Sequence, residues 1–535
     1  MVDNEKLFLN GDEAIAQGAI DSGVALGCGY PGTPSTEILE HFSKLGGRAQ
    51  WEPNEKVALE VAIGVAFSQS RALVTMKHVG LNVAADPLFT VTYSGITGAL
   101  VIVSADDPGM ASSQNEQDNR NYAKASGCPM LEPADSQEAY DFTKLAFTLS
   151  EKFHIPFLLR ITTRTCHAKS IVKRSAILPP TTPKVECDIK QHVMVPANAR
   201  PAHKRLSEKL IQIKELNETN DANFIEGNNS EFGIIVSGVS YLHAKEACPD
   251  AKFLKLSTTY PLPINKIREF RSSVKRCLVI EEGENFLGDI IRSNGIDVES
   301  KNGVFCFGEL NVERVKKILA NDTSPDLTLP AGKPPELCQG CPHRKSFEAI
   351  KATDSIVAGD IGCYTLGAMP PMSAMHTQLC MGASIGMGLG MRHSLPDEEA
   401  RKVISVIGDS TFIHSGITGL VDALYNKPKT GHTIVILDNS ITAMTGLQEH
   451  PATGRKLDHS DTNKLILEDL VRGLGVKEVY VVDPLLEQNK LQELILSARK
   501  NDKITVIISR RSCILAAKAL AKRKAKDNIK EEQSC

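Results

Sequence analysis

No apolar run in this chain approaches the length of a membrane crossing. Stretches such as ALVIV at 99–103 are short, whereas a spanning helix needs about 20 apolar residues in succession. The opening MVDNEKLFLN likewise lacks the basic region and apolar stretch of a secretory leader. These absences predict a cytoplasmic protein with no membrane span. An excess of one charge is missing too. With 61 Lys+Arg against 64 Asp+Glu and a formal net charge of -3, the chain has no electrostatic footprint for a polyanion, and no nucleic acid is expected as partner. What is present is an ordinary globular composition, 42% hydrophobic and 23% charged, in 535 residues. One hydrophobic core rarely serves so long a chain, so three or more domains are expected.

Thirteen cysteines scattered through a chain without a leader point to reduced thiols rather than a disulfide scaffold. Cys28, Cys128, Cys166, Cys187, Cys248, Cys277 and Cys306 sit singly, as small core residues do. Cys338 and Cys341 form a C-x-x-C pair, Cys363 follows in GDIGC, and Cys513 in SRRSC. Four thiolates of this kind hold either an iron–sulfur cluster or a tetrahedral zinc ion, and the motif alone does not decide. Cys380, in CMGAS, is a possible substitute ligand in a segment that reads as helix packing.

Alternating apolar runs and helical patterns predict an α/β multidomain fold with parallel sheets flanked by helices. Residues 1–175 hold a helix in GDEAIAQGAIDSG, a strand ending at GCGYPG, a helix from Glu55, and strands in RALVTMKH and ALVIVSADDPG. Residues 176–230 read as a linker carrying one amphipathic helix, KRLSEKLIQIKEL. A smaller unit spans 231–330, with FGIIVSG, FLKLSTTYPLP and RCLVIEEGENFLGDII, and TSPDLTLPAGKPPE marks the next boundary. The last unit, 331–535, has strands at DSIVAGD, KVISVIGD, GHTIVILDN and KITVIISRR, and its charged tail reads as a frayed helix or disordered segment.

Two polar clusters in the last unit end hydrophobic strands: VISVIGDST and TIVILDNSI, which place Asp409 and Asn439 30 positions apart. Beyond the carboxyl ends of parallel strands such residues can converge on one crevice. Their oxygens suit magnesium, and the amides of Ser410 and Thr411 at a helix start suit phosphate. Asp and Asn are also common turn residues after strands, and the pair alone does not separate the two readings. The glycines of GASIGMGLGM do not follow a strand as a nucleotide fingerprint would, and read as close helix packing. Of His343, His376, His414 and His450, all in polar segments, only His414 lies in the Asp409 loop.

The Asp409 and Asn439 segments resemble the thiamine diphosphate motif, in the Gly-Asp-Ser variant of the alpha subunits of indolepyruvate ferredoxin oxidoreductase, within the 2-oxoacid:ferredoxin oxidoreductase superfamily. CQGCPHRKSFEAIK, GDIGCYTLG, CMGASIGMGLG, GDSTFIHSGITGL and TAMTGLQEHPATG resemble that subunit in the same order, across almost the whole chain. The resemblance implies that residues 1–175 bind the aminopyrimidine, 231–330 form a transketolase-C-terminal-like domain and 331–535 bind the diphosphate. The cofactor would then sit between the first and last of these. It implies Mg2+ at Asp409, Asn439 and the carbonyl of Ile441, with Gly408, Ser410 and Thr411 lining the diphosphate. It implies a cofactor-activating glutamate, Glu55 by its spacing from GVAFSQSRA, with Glu52 and Glu60 as the other candidates. YPGTPSTEIL resembles the segment whose threonine faces the 2-oxoacid, which is Thr33 here, and Arg120 is a candidate for the substrate carboxylate. The resemblance favours one 4Fe-4S cluster over zinc at Cys338, Cys341, Cys363 and Cys513.

The implied reaction is oxidative decarboxylation of a 2-oxoacid, with indolepyruvate or another arylpyruvate foremost, to acyl-CoA. The implied partners are a beta subunit and coenzyme A, in a hetero-oligomer built on a dimer. One departure concerns the electron exit. Only 22 residues follow Cys513 and none forms the repeated C-x-x-C-x-x-C run of a ferredoxin domain, so a separate ferredoxin-type carrier is expected. The rival reading is a non-oxidative decarboxylase that releases an aldehyde.

Overall fold

A computed structural model describes residues 5–185, 188–326 and 335–523. Cys187 and the chain beyond residue 523 lie outside them, as does part of the expected boundary TSPDLTLPAGKPPE. The chain divides into two compact units, Met1–Thr328 and Leu329–Cys535.

The first unit holds a seven-stranded sheet in the order Thr258–Tyr260, Met130–Leu131, Phe157–Thr162, Ala99–Asp106, Arg71–Lys77, Leu26–Gly29 and Ala49–Trp51. All neighbours are parallel except the Thr258–Tyr260 edge. Its central strand ALVIVSAD is buried at every position, as a strand covered on both faces must be. A five-stranded sheet follows, in the order Glu299–Ser300, Arg276–Ile280, Phe232–Ser237, Lys252–Leu256 and Phe224–Glu226, the last antiparallel. The helix Pro196–Thr219 precedes it in the chain. FLKLSTTYPLP, expected within the 231–330 unit, is divided between the two sheets: Lys252–Leu256 stays in the second and Thr258–Tyr260 joins the first. Asn223 fixes the crossing, its Oδ1 accepting the amides of Ser257 and Thr258 at 2.8 and 3.0 Å.

The second unit is built on a parallel five-stranded sheet, in the order Ile356–Ala358, Val403–Gly408, His432–Asp438, Ile504–Arg510 and Glu478–Val482. Alternate side chains feed two separate cores. Ile407, Ile434, Ile436 and Ile508 enter one, and Ile404, Val406, Val435 and Ile507 the other. Parallel pairing in this register puts the polar residues that follow Gly408 and Asp438 together at one rim of the sheet.

Candidate functional site

In the second unit, Gly408 pairs with Leu437 across adjacent parallel strands, so Asp409 and Asn439 emerge side by side. Asp409 is buried; Oδ1 accepts the amide of Ser410 at 2.9 Å and Oδ2 that of Ser440 at 2.8 Å. Ser440 has a φ of +58°, a left-handed turn that folds the Asn439–Ile441 backbone over the aspartate. Gly408 is required where it stands, since a β-carbon there would meet Tyr364 Cε1 at 2.6 Å. Thr411 donates to the carbonyl of Ile361 at 2.9 Å, and Phe412–Gly416 then winds as a π-helical turn, a distortion frequent at functional sites.

Two histidines line this rim. His450 Nδ1 accepts the amide of Ala452 at 3.3 Å, so a proton on Nε2 faces Asp409 Oδ2, 3.3 Å away. Burial pushes the Asp409 carboxyl up, but His450 and the Ser410 amide hold it below its ordinary value. Neighbouring Asp438 is pushed up by burial and by the Asp409 charge, despite its bond to Arg510 at 2.6 Å. His343 Nε2 lies 3.4 Å from Asn439 Nδ2, and burial lowers its pKa to about 4, which keeps it neutral. His414, singled out from the sequence, is instead turned to the Ser415 hydroxyl at 2.6 Å.

Crowded carboxylates and an amide oxygen are the donor set that a hard cation satisfies. Asp409 Oδ1, which accepts the Ser410 amide, and Asn439 Oδ1, which accepts the Ile441 amide at 3.2 Å, each keep a lone pair beyond those hydrogen bonds. The residues therefore fit magnesium chemically. Among the described residues, however, no three His, Cys, Asp or Glu side chains are already placed to hold a metal ion.

The same rim carries the cysteines. Burial and the neighbouring thiols of Cys341, Cys513 and Cys338 push the Cys363 thiol up to about 11. Cys341 is raised by burial and by Cys338 and Cys513 in turn. Cys338 and Cys513 thus lie near enough to act on the Cys341 and Cys363 thiols, while among the described residues no three of the four are already placed around a metal ion. Cys380 is raised by burial and by the charge of Asp360. The thiol loops adjoin the Asp409 crevice: the amide of Cys513 donates to the Asn439 carbonyl at 2.9 Å, and His343 stands two residues after Cys341.

In the first unit, Glu55 opens the helix Glu55–Phe67, whose start is capped by Asn54 Oδ1 accepting the Val57 amide at 3.0 Å. The Glu55 side chain is buried against Gly80, where an added β-carbon would lie 2.7 Å from its Oε1. Gly80 lies in the helix His78–Val83 that follows Lys77. Lys77 in turn abuts the Thr33 loop, because a β-carbon at Gly32 would meet Lys77 Cβ at 3.0 Å. The Thr33 loop and Glu55 thus each pack against the segment Lys77–Gly80, at the carboxyl end of Arg71–Lys77. Glu60 is half exposed and paired with Lys56. Glu52 faces the base of the loop: it accepts from the Gly29 amide at 2.7 Å and from Gln50 Nε2 at 2.7 Å, and burial raises its pKa to about 7.

Arg120 requires a correction. Its side chain is fully buried, paired with Asp118 at 2.5 Å and with Glu281 Oε2 at 2.6 Å, and it donates to the Glu282 and Glu284 carbonyls at 2.8 and 3.2 Å. The guanidinium ties the two sheets of the first unit together and is not presented to a substrate. The sequence placed it in a polar loop, where burial is not legible.

Residues 17–194 match the family described as pyruvate flavodoxin/ferredoxin oxidoreductase, thiamine diphosphate-binding. Residues 360–509 match the thiamine pyrophosphate enzyme C-terminal TPP-binding domain. Indolepyruvate oxidoreductase subunit IorA of Archaeoglobus fulgidus is 41% identical, with 98% of this chain and 89% of that protein covered. IorA of Methanothermobacter thermautotrophicus is 37% identical, covering 97% and 88%. In fold the chain resembles the 2-oxoglutarate:ferredoxin oxidoreductase of Magnetococcus marinus, with a TM-score of 0.50, 18% identity, and 60% of this chain and 65% of that one covered. No helix among the described residues is long and apolar enough to cross a membrane. Identity at this level over nearly the full length, on a parallel-sheet rim built around Asp409 and Asn439, means that the chain belongs to the IorA family of thiamine diphosphate-dependent 2-oxoacid:ferredoxin oxidoreductase subunits.

Proposed function

We propose that the chain is the catalytic subunit of an arylpyruvate-oxidising enzyme that converts a 2-oxoacid and coenzyme A to acyl-CoA and carbon dioxide, releasing two electrons per turnover to iron–sulfur carriers. The observation that carries this reading is the Asp409–Ser440 hydrogen bond at 2.8 Å, which closes the Asn439–Ile441 turn on the aspartate beside the four-cysteine region. Bound thiamine diphosphate would supply the carbon nucleophile and electron sink that cleave the bond between carbonyl and carboxylate.

The chain's own residues do the rest. Asp409, Asn439 and the Ile441 carbonyl hold Mg2+, and Gly408, Ser410 and Thr411 present backbone and hydroxyl groups to the diphosphate. Glu55 holds a proton at the aminopyrimidine ring nitrogen, and Thr33 faces the 2-oxoacid. Cys338, Cys341, Cys363 and Cys513 hold one 4Fe-4S cluster as thiolates. In this reading residues 1–175 are the aminopyrimidine-binding domain, 176–230 the linker, 231–330 the transketolase-C-terminal-like domain and 331–535 the diphosphate-binding domain. A beta subunit such as IorA implies, and a ferredoxin-type carrier, complete a cytoplasmic hetero-oligomer.

The test is anaerobic purification with the partner subunit, followed by a screen of 2-oxoacids with coenzyme A and methyl viologen. Viologen reduction that requires coenzyme A, thiamine diphosphate and an aryl 2-oxoacid is expected. Aldehyde formation at the same rate with no acceptor present would replace this reading with the non-oxidative one.

A further inference from the structure

With Arg120 enclosed, the carboxylate of a 2-oxoacid beside Thr33 lacks the cation assigned to it. Two further arginines near the carboxyl end of the seven-stranded sheet are also committed. Arg160 is held by Asp106 at 2.7 Å and by Glu132. Arg164 makes a two-pronged pair with Glu309 at 2.7 and 2.8 Å. Lys77 differs. It ends the strand Arg71–Lys77, which pairs in parallel with Leu26–Gly29 through Gly29 and Thr75, so it rises beside the loop that follows Gly29. Gly32 of that loop approaches the Lys77 stem so closely that a β-carbon there would stand 3.0 Å from Lys77 Cβ. Thr33 is the next residue.

We propose that Lys77 binds the carboxylate of the 2-oxoacid and is the residue that makes the site select acids over their neutral analogues. Its ammonium donates to a neutral partner, the Ser112 carbonyl, at 2.6 Å. An ammonium carries three donors, so others remain for a ligand. Asp107, the acid whose charge Lys77 senses, is taken up by the Ser112 amide at 2.9 Å, the Ser113 hydroxyl at 2.5 Å and Thr163 Oγ1 at 2.9 Å. Burial lowers the Lys77 pKa from its ordinary value, as expected for a cation kept partly out of water. A partly desolvated charge of this kind gains most from an incoming carboxylate. The strand's carboxyl end also leads into the turn that packs Gly80 on Glu55, so carboxylate recognition and cofactor activation share one backbone segment.

This inference rests on the 2-oxoacid reading, and the experiment separates the two. The holoenzyme with its partner subunit is compared with K77M and K77R for KM and kcat on phenylpyruvate. Binding of 3-phenyllactate and of its methyl ester is followed by calorimetry; neither offers a carbonyl for decarboxylation. K77M is expected to raise KM and the Kd for 3-phenyllactate about tenfold or more, the scale of one lost charge-assisted hydrogen bond, and to leave ester binding unchanged. K77R should recover much of the loss. Unchanged KM and Kd in K77M, or equal losses for acid and ester, would overturn the assignment. Wild-type enzyme that binds 3-phenyllactate by a Lys77-dependent route but passes no electrons to viologen would overturn the functional reading alone.

Discussion

The Glu55 carboxyl fills the space that a β-carbon at Gly80 would need, 2.7 Å from both Cγ and Oε1. That contact fixes where the glutamate points. Gly80→Ala should therefore displace the carboxyl while costing the fold little, since alanine is the better helix former by about 1 kcal/mol. With the cofactor bound, proton exchange at the thiazolium carbon should slow about 100-fold or more in G80A and E55Q, the usual range for a lost acid–base group. Exchange at the wild-type rate in both variants would move the role to Glu52.

Arg120 predicts a different signature. Arg120→Met leaves Asp118 and Glu281 buried without their partner, which costs about 3–5 kcal/mol of stability, read from urea unfolding. Burial raises the Asp118 carboxyl, yet Arg120 and Arg160 bring it down to about 2, below its ordinary 3.8. A carboxyl depressed in the folded state contributes stability above its unfolded pKa and loses it as pH falls through the folded value. The gap between wild type and R120M should thus be full above pH 4 and close toward pH 2. A variant with unchanged stability and a raised KM would restore Arg120 to the substrate.

The contrast between Arg120 and Asp409 shows what the sequence carries. Asp409 and Asn439 were legible because each ends an unbroken apolar strand, and parallel pairing then brings strand ends together whatever their separation along the chain. The strands at KVISVIGD and GHTIVILDN stand where the apolar runs put them. The strand Glu478–Val482 went unread because EVYVV mixes buried and exposed positions at the edge of its sheet. The burial of Arg120 depends on Glu281, 161 residues away, and no local pattern records such a pairing. Thr258–Tyr260 changed sheets for the same kind of reason, through Asn223. Lys77 had a faint signal, a charge that ends the buried run RALVTM. His450 had none beyond its polar segment.

Glu52 supplies a pH prediction. Burial raises its carboxyl from 4.5 to about 7. A group whose folded pKa lies above its unfolded one stabilises most fully below the unfolded value and ceases to do so as pH rises through the folded value. Wild-type stability should fall between pH 4.5 and 7, whereas Glu52→Gln, which has no proton to lose, should escape this decline. The difference should grow in the variant's favour by about 3 kcal/mol at most, measured as unfolding midpoints at pH 5 and pH 8. Parallel pH profiles for the two proteins would show that Glu52 is ionised in the folded state.

The central claim is that electrons leave the substrate through a cluster held by Cys338, Cys341, Cys363 and Cys513. It is tested most directly by paramagnetic resonance on anaerobically purified protein mixed with an arylpyruvate and coenzyme A. The account predicts a brown protein that develops a reduced 4Fe-4S signal on mixing. In Cys513→Ser that signal should be lost or converted, with thiamine diphosphate affinity unchanged. A colourless, iron-free protein with stoichiometric zinc, or one that releases aldehyde and shows no signal, would contradict it.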